Sequence, residues 1–404
     1  MPRVIHVVRK FEPAEWGGTE THLVALIREQ VQLGWECEVH APREKGTDGT
    51  ILERAGARFR TFRARYPYLR MSREQRAGLV AAGGNLLSAD ELAKLCVLQA
   101  DVLHLHTLGR LGGVVRTAAR MRRRPYAVTL HGPVRADASV VESDARRRTQ
   151  GMVDVGAPFG LLLGARRVVQ DADLVFVLNR AEESAWAKTR KAKHLARVAH
   201  GVSLDRASEA DRREARGRAG VGAATFWVLV GRVDRAKGQD LAIRAFSEAP
   251  SDVHLVLAGS VSDPSFAREV AALIDVSPMR ERIHSIGGVP PHIARALLGE
   301  AALALVPSRA EPFGIVLLEA WAEGTPALFS DVGGLGDIAR NTDAHFGLVA
   351  PDDLEAWTDR LRALADCARE MQCERDAVRS RVAAHYAWRT LAEQIVEGYN
   401  AVRR

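Results

Sequence analysis

What this 404-residue sequence has little of narrows its function first. It holds four cysteines, at 37, 96, 367 and 373, with no C-x-x-C and no metal-type spacing. That argues against a disulfide framework or a zinc site and fits buried thiols in a reducing cytosol. No apolar run approaches the roughly 18 residues needed to span a bilayer. Val4–Val8 is too short for the apolar core of a signal peptide and charges follow at once, so it is expected to be the first strand. Aromatic residues make up only 6% and few lie among the dispersed arginines. With no helix-turn-helix or zinc-finger spacing either, the composition argues against a nucleic-acid partner. Gly17-Gly18 follows the first strand where a dinucleotide-dependent dehydrogenase would carry G-x-G-x-x-G. Internal repeats and low-complexity segments are absent.

What is present alternates. Apolar residues make up 47%, enough for two domains of ordinary size. Strand-like runs fall at 3–8, 36–41, 57–62, 102–106, 126–130, 173–178 and 195–199, then at 225–231, 253–259, 282–286, 303–306, 325–330 and 346–349. Helical patterns lie between them, notably 18–33, so the class is α/β with two doubly wound parallel sheets. The polar stretch Ser203–Gly222 is expected to connect them and to open the second domain. Residues 63–99 and 133–170 exceed the alternation, and loops that long are usually functional or mobile.

One segment, residues 303–334, says most about chemistry. Leu303–Val306 is a short strand, Pro307 and Ser308 end it, and 313–323 has helical spacing. Amides and dipole at that helix start make an anion site, and Gly314 would let a ligand approach closely. Glu311 and Glu319 bracket it, about 12 Å apart if the rise is helical throughout. That matches the hexose-to-ribose span of a nucleotide sugar, although a dipole partner and a solvated helix position are the plainer reading. A second segment, Phe226–Val230 followed by Gly231-Arg232 and Lys237-Gly238, puts two cations at a strand's carboxyl end. Open parallel sheets bind ligands there, and Arg and Lys both suit phosphate.

Residues 231–238 (GRVDRAKG), 311–320 (EPFGIVLLEA) and 324–334 (GTPALFSDVGG) resemble the donor half of the retaining family 4 glycosyltransferases, which have the GT-B fold. Gly17–His22 and Thr129–Gly132 resemble the other half. The resemblance implies two Rossmann-like domains facing across a cleft: 1–205 for the acceptor, 206–385 for the donor, and 386–404 returning to the first. It implies transfer of a sugar from a nucleotide diphosphate sugar. His131, Arg232, Lys237 and Glu311 would act at the reacting centre. Gly17, Gly18, Gly231, Gly259, Val289, Pro312, Phe313, Gly314, Ile315, Val316 and Glu319 would bind the donor. Gly17 and Gly18 also read as a tight turn, although close backbone approach to donor or acceptor is the favoured reading. The acidic residue that often follows the family's His-Gly is replaced by Pro133.

No cofactor or metal is expected. Asp171-Ala-Asp173 matches a bare D-x-D, but it lies at a helix end before a strand, where acidic residues cap turns. Rival readings are a nucleotide-sugar epimerase or hydrolase on the same fold, and a non-catalytic relative. Charge is uneven: residues 1–205 carry 33 Lys+Arg against 22 Asp+Glu, and the remainder 24 against 28. Arginines at 116, 120, 122–124 and 146–148 suggest an anionic or lipid-linked acceptor, peripheral contact with the inner face of the membrane, or merely an arginine-rich composition. The expected location is the cytoplasm.

Overall fold

The computed structural model describes residues 1–12, 18–81, 84–131, 151–189, 193–344, 346–365 and 368–403. They form two compact units, Met1–Ala199 with Trp388–Arg404, and His200–Ala387. The boundary expected after residue 205 falls earlier. The Val202 amide donates to the Tyr386 carbonyl at 2.9 Å and Val202 bridges Ala387, which ties 200–205 to the second unit.

In the first unit, β1 (Arg3–Val7), β2 (Glu36–Pro42), β3 (Arg58–Phe62), β5 (Val102–Leu105), β6 (Tyr126–Thr129), β8 (Leu174–Val177) and β9 (Leu195–Arg197) form one parallel sheet, ordered β3-β2-β1-β5-β6-β8-β9. The short β4 (Tyr68–Leu69) and β7 (Val153–Asp154) pair antiparallel outside it. The long strands are apolar almost throughout because helices cover both faces. Alternate residues therefore enter separate cores. Val4, Val39, Val102 and Phe176 face the helix Gly18–Gln32 and the last helix, Trp388–Val402, whose Leu391 and Ile395 complete that core. Ile5, Val7, Leu103 and Val175 face the other side.

The second unit holds β10 (Thr225–Val230), β11 (Val253–Ala258), β12 (Ile283–Gly287), β13 (Leu303–Val306), β14 (Ala327–Ser330) and β15 (Leu348–Val349), all parallel, ordered β12-β11-β10-β13-β14-β15. Trp227, Leu255, Leu305, Phe246 and Trp357 lie in its core. Side chains cap several helix starts: Ser208 accepts from the Asp211 amide, and Asp263 from those of Ser265 and Phe266.

Both sheets reverse their winding beside the central strand, between β1 and β5 in the first and between β10 and β13 in the second. Each reversal parts the loops at the strands' carboxyl ends and opens a crevice, the usual ligand position in such folds. Among the described residues no helix is long and apolar enough to cross a membrane.

Candidate functional site

At the second unit's switch point, the loop after β10 meets the loop after β13. Lys237 Nζ lies 2.5 Å from Glu311 Oε2, an ion pair largely sheltered from water. Ser308 Oγ is 3.5 Å from the same oxygen. Arg232 is nearby in the chain but points outward. Its side chain is 67% exposed and its one ionic neighbour among the described residues, Asp234, is 3.8 Å away. Gln239 accounts for part of this loop's shape, donating to the Arg232 carbonyl at 2.9 Å.

The helix expected over 313–323 begins at Ile315. Gly314 precedes it at φ +102°, a conformation that side chains resist, and a Cβ there would lie 2.4 Å from Leu335 Cδ2. Turn geometry and packing each require a glycine at 314. Phe313 is buried, with its ring beside those of His200 and Tyr386. Pro312 and Glu311 lie in the loop, so helical rise does not measure the gap between Glu311 and Glu319. The amides of Ile315 and Val316 fall in the first turn, where no intrahelical acceptor exists.

Glu319 is half-buried and has no hydrogen-bond or ion-pair partner among the described residues. Burial raises its carboxyl above the ordinary range, Arg295 opposes this and Glu323 adds to it. Glu323, one turn on, is bound instead. It accepts from Arg295 Nε at 2.7 Å, Arg212 Nη2 at 2.9 Å and the Ala207 amide at 3.0 Å. The two glutamates of this helix thus differ: one anchors the stretch entering the unit, and one is left open.

Gly231 and Gly259 sit at the carboxyl ends of β10 and β11. The Gly231 amide donates to Ala258 at 2.9 Å, and the Gly259 amide to Gly287 at 2.8 Å. A Cβ on Gly259 would lie 1.9 Å from the Gly231 carbonyl oxygen, so no side chain fits. Val289 follows β12, half-buried, in the same row of loops. Sequence reading missed Arg309. It grips Asp240 with two bonds of 2.8 and 2.9 Å and Asp352 at 2.8 Å, pinning the loop that carries Glu311.

At the first unit's switch point, His131 follows β6. It does not stand alone among the described residues. His6 on β1, His104 on β5, His106 just after it and His22 on the first helix gather around it, all buried. Parallel register sets His6 opposite His104. His6 Nδ1 lies 3.0 Å from His106 Nε2, and His106 Nδ1 lies 2.8 Å from His131 Nε2. The ring of His22 stands edge-on to His131, 5.0 Å between centroids. Ligand atoms of His6, His104 and His106, and of His22, His106 and His131, lie within 4.8 Å of one another, and hydrogen bonds link rings in both groups. The signal was present in His6 and in the alternating His104 and His106 of two buried runs. Only sheet order brings them together.

Arg9 and Lys10 directly follow β1 and were also missed. Burial, then His22 and then Arg9 disfavour charge on His131 and lower it below the ordinary histidine range. Burial lowers Lys10 from the ordinary lysine range, against the pull of Glu12 and Glu20. Gly18 opens the first helix, while Gly17, Pro133 and Arg146–Arg148 lie outside the described residues.

The basic patch needs correction. Arg116 donates to Asp171 Oδ2 at 2.7 Å, and Arg124 bonds the carbonyls of Leu95 and Leu98. The helix Gly109–Arg122 runs back from the carboxyl end of β5 to the start of β6, so Arg120 and Arg122–Arg124 sit at the strands' amino ends, opposite the end that carries His131. Asp171 and Asp173 are engaged by Arg116, Arg167, Lys193 and the Tyr126 amide, which accounts for the D-x-D pattern.

Two family models match the chain, "Glycosyltransferase Family 4" over residues 16–206 and "Glycosyl transferases group 1" over 211–378. A D-inositol 3-phosphate glycosyltransferase of Xylanimonas cellulosilytica is 31% identical over 317 residues, 74% of this chain and 71% of that protein. The alpha-maltose-1-phosphate synthase of Mycolicibacterium smegmatis is 27% identical over 99% of both chains. Anabaena Alr3699/HepE, solved with UDP and glucose, superposes with a TM-score of 0.75 at 17% identity, covering 99% of this chain and all of that one, which identifies the GT-B fold.

Proposed function

The chain belongs to glycosyltransferase family 4, and from that premise we propose that it transfers a sugar from a nucleotide diphosphate sugar to an acceptor hydroxyl, without a metal and with retained configuration. One observation carries the donor assignment. The Lys237–Glu311 pair lies on two loops that meet at one switch point, and the open carboxylate of Glu319 and the first-turn amides of Ile315 and Val316 lie on the helix that follows one of them. Departure of the diphosphate builds negative charge that Arg232, Lys237 and those amides would stabilise from fixed positions. Glu311 would accept from sugar hydroxyls once Lys237 turns to phosphate. Glu319 would accept from the ribose diol, and backbone at Gly231, Gly259 and Val289 would frame the base. His131 would serve the reacting sugar from the first unit. With no carboxylate assigned as nucleophile, a front-face route is the fitting one, the leaving phosphate taking the acceptor's proton.

An acceptor bearing phosphate fits Arg9, near enough to His131 to influence its charge, better than the arginines that first suggested it. Two relatives are named for phosphorylated compounds, D-inositol 3-phosphate and maltose 1-phosphate. A lipid-linked acceptor is the second reading. The helix Ala157–Leu162 leaves Phe159, Leu161 and Leu162 exposed, with Arg166 and Arg167 close behind.

The test is calorimetric titration of the full chain with UDP, GDP and ADP, then nucleotide sugars screened by thermal shift and slow hydrolysis. Binding well below millimolar is expected for one base. No binding by any would refute the donor site. Donor turnover independent of every acceptor would favour a hydrolase or epimerase. Co-sedimentation with anionic but not neutral vesicles, lost in Leu161→Ser with Leu162→Ser, would favour the lipid reading.

A further inference from the structure

The buried histidines pose a question of direction. A neutral imidazole has one N–H and one lone pair, so a row of them has a polarity fixed at its end. Here the end is Gln30. Its Oε1 lies 3.5 Å from the thiol of Cys37 and 2.9 Å from His6 Nε2. Burial pushes Cys37 up to about 12, so the thiol keeps its proton and donates. His6 Nε2 must then donate too. That leaves His6 Nδ1 as a lone pair, which accepts from His106 Nε2 at 3.0 Å. His106 Nδ1 accepts in turn from His131 Nε2 at 2.8 Å. With the same Gln30 orientation the other branch runs in one direction too: Gln30 Nε2 donates to Tyr399 Oη at 3.3 Å, Tyr399 to His104 Nδ1 at 2.5 Å, and His104 Nε2 to Thr129 Oγ1 at 2.7 Å. Burial lowers His6 to about 4 and holds His104, His106 and His131 below the ordinary histidine range, so the rings stay neutral.

We propose that Gln30, acting through His6 and His106, holds His131 as the tautomer with its proton on Nε2 and its lone pair on Nδ1. His131 Nδ1, buried in this structure, would then meet a ligand only as a hydrogen-bond acceptor. The group it selects is a donor, a hydroxyl of the sugar or of the acceptor, and a phosphate or carboxylate oxygen is refused. Gln30, His6 and His106 are positioning residues; His6 and His106 touch no ligand. This rests on the reading of His131 as an active-site residue.

Hydrogen positions follow here from the network, and a reversed Gln30 amide would invert every bond of the first branch. Long-range proton–nitrogen NMR on histidine-labelled full-length protein distinguishes the two. The expected result is Nε2–H and a bare Nδ1 for His6, His106 and His131 at neutral pH. A proton on Nδ1 of His131, or a charged ring, would overturn the proposal. Gln30→Leu removes the end that sets polarity. The His131 signal should become a mixture of tautomers, and kcat should fall by about tenfold, the weight of one hydrogen bond, with donor KM little changed. A folded Gln30→Leu that keeps the single tautomer and full kcat refutes the relay. Should that variant not fold, the natural protein's spectrum alone decides. His131→Ala separates the two claims. Unchanged turnover there sinks the active-site reading, while the spectrum still reports on the chain.

Discussion

Glu182 offers a quantitative test of the first unit's electrostatics. It sits in the first turn of the helix Arg180–Thr189, beyond the carboxyl end of β8. It is 6% exposed, and no side chain among the described residues pairs with its carboxylate. Burial raises its pKa from 4.5 to about 7, with the Leu178 backbone opposing. The folded chain therefore holds this proton where the unfolded chain has lost it, and stability must fall as pH rises through that window. The full shift corresponds to roughly 3 kcal/mol, of which about 2.5 should be lost between about pH 5 and pH 8. Glu182→Gln removes the titration but keeps the shape. Taking the difference between the two proteins cancels every other titrating group. By calorimetry at both pH values, the variant should gain roughly 5–10 °C in Tm relative to the natural protein on going to the higher pH. Only the transition of the first unit should move, since the units need not unfold together. An equal Tm difference at both pH values would show that water reaches this carboxylate and that the reasoning fails.

Three further outcomes are expected. Glu319→Ala should chiefly raise donor KM and Glu311→Ala chiefly lower kcat, because one is assigned to the ribose and the other to the reacting sugar; equal effects on both constants would reverse or dissolve that assignment. Lys237→Met should lower kcat by about 100-fold or more, and activity should survive excess EDTA, since the leaving diphosphate is assigned protein donors; loss restored by magnesium or manganese would count against this. Glu323→Leu should destabilise the second unit by about 3–5 kcal/mol, because it leaves Arg212 and Arg295 facing an apolar group; a chemical-denaturation midpoint like that of the natural protein would contradict the anchoring role.

Much of the fold was written locally. Runs such as Phe226–Val230 and Val253–Ala258 are apolar on both faces, and that pattern alone demands buried parallel strands with helices between. The loop-to-helix segment at 311–319 could be read because its residues are neighbours in the chain and meet whatever surrounds them. Even there, the start at Ile315 depends on Gly314 taking a left-handed conformation against Leu335, which no local spacing reveals. Arginine counts misled, because composition does not say that Arg116 is bound to Asp171 or that Arg120 lies at the strands' amino ends, away from His131. The histidine relay was least legible. His6, His106 and His131 meet because β1, β5 and β6 are adjacent in the sheet, and Gln30 reaches them from a helix packed on one face. Sequence determined which segments must be buried, since hydrophobic periodicity is local. Tertiary structure decided which polar groups share that burial, because strand order and hydrogen-bond polarity are set by contacts between residues far apart in the chain.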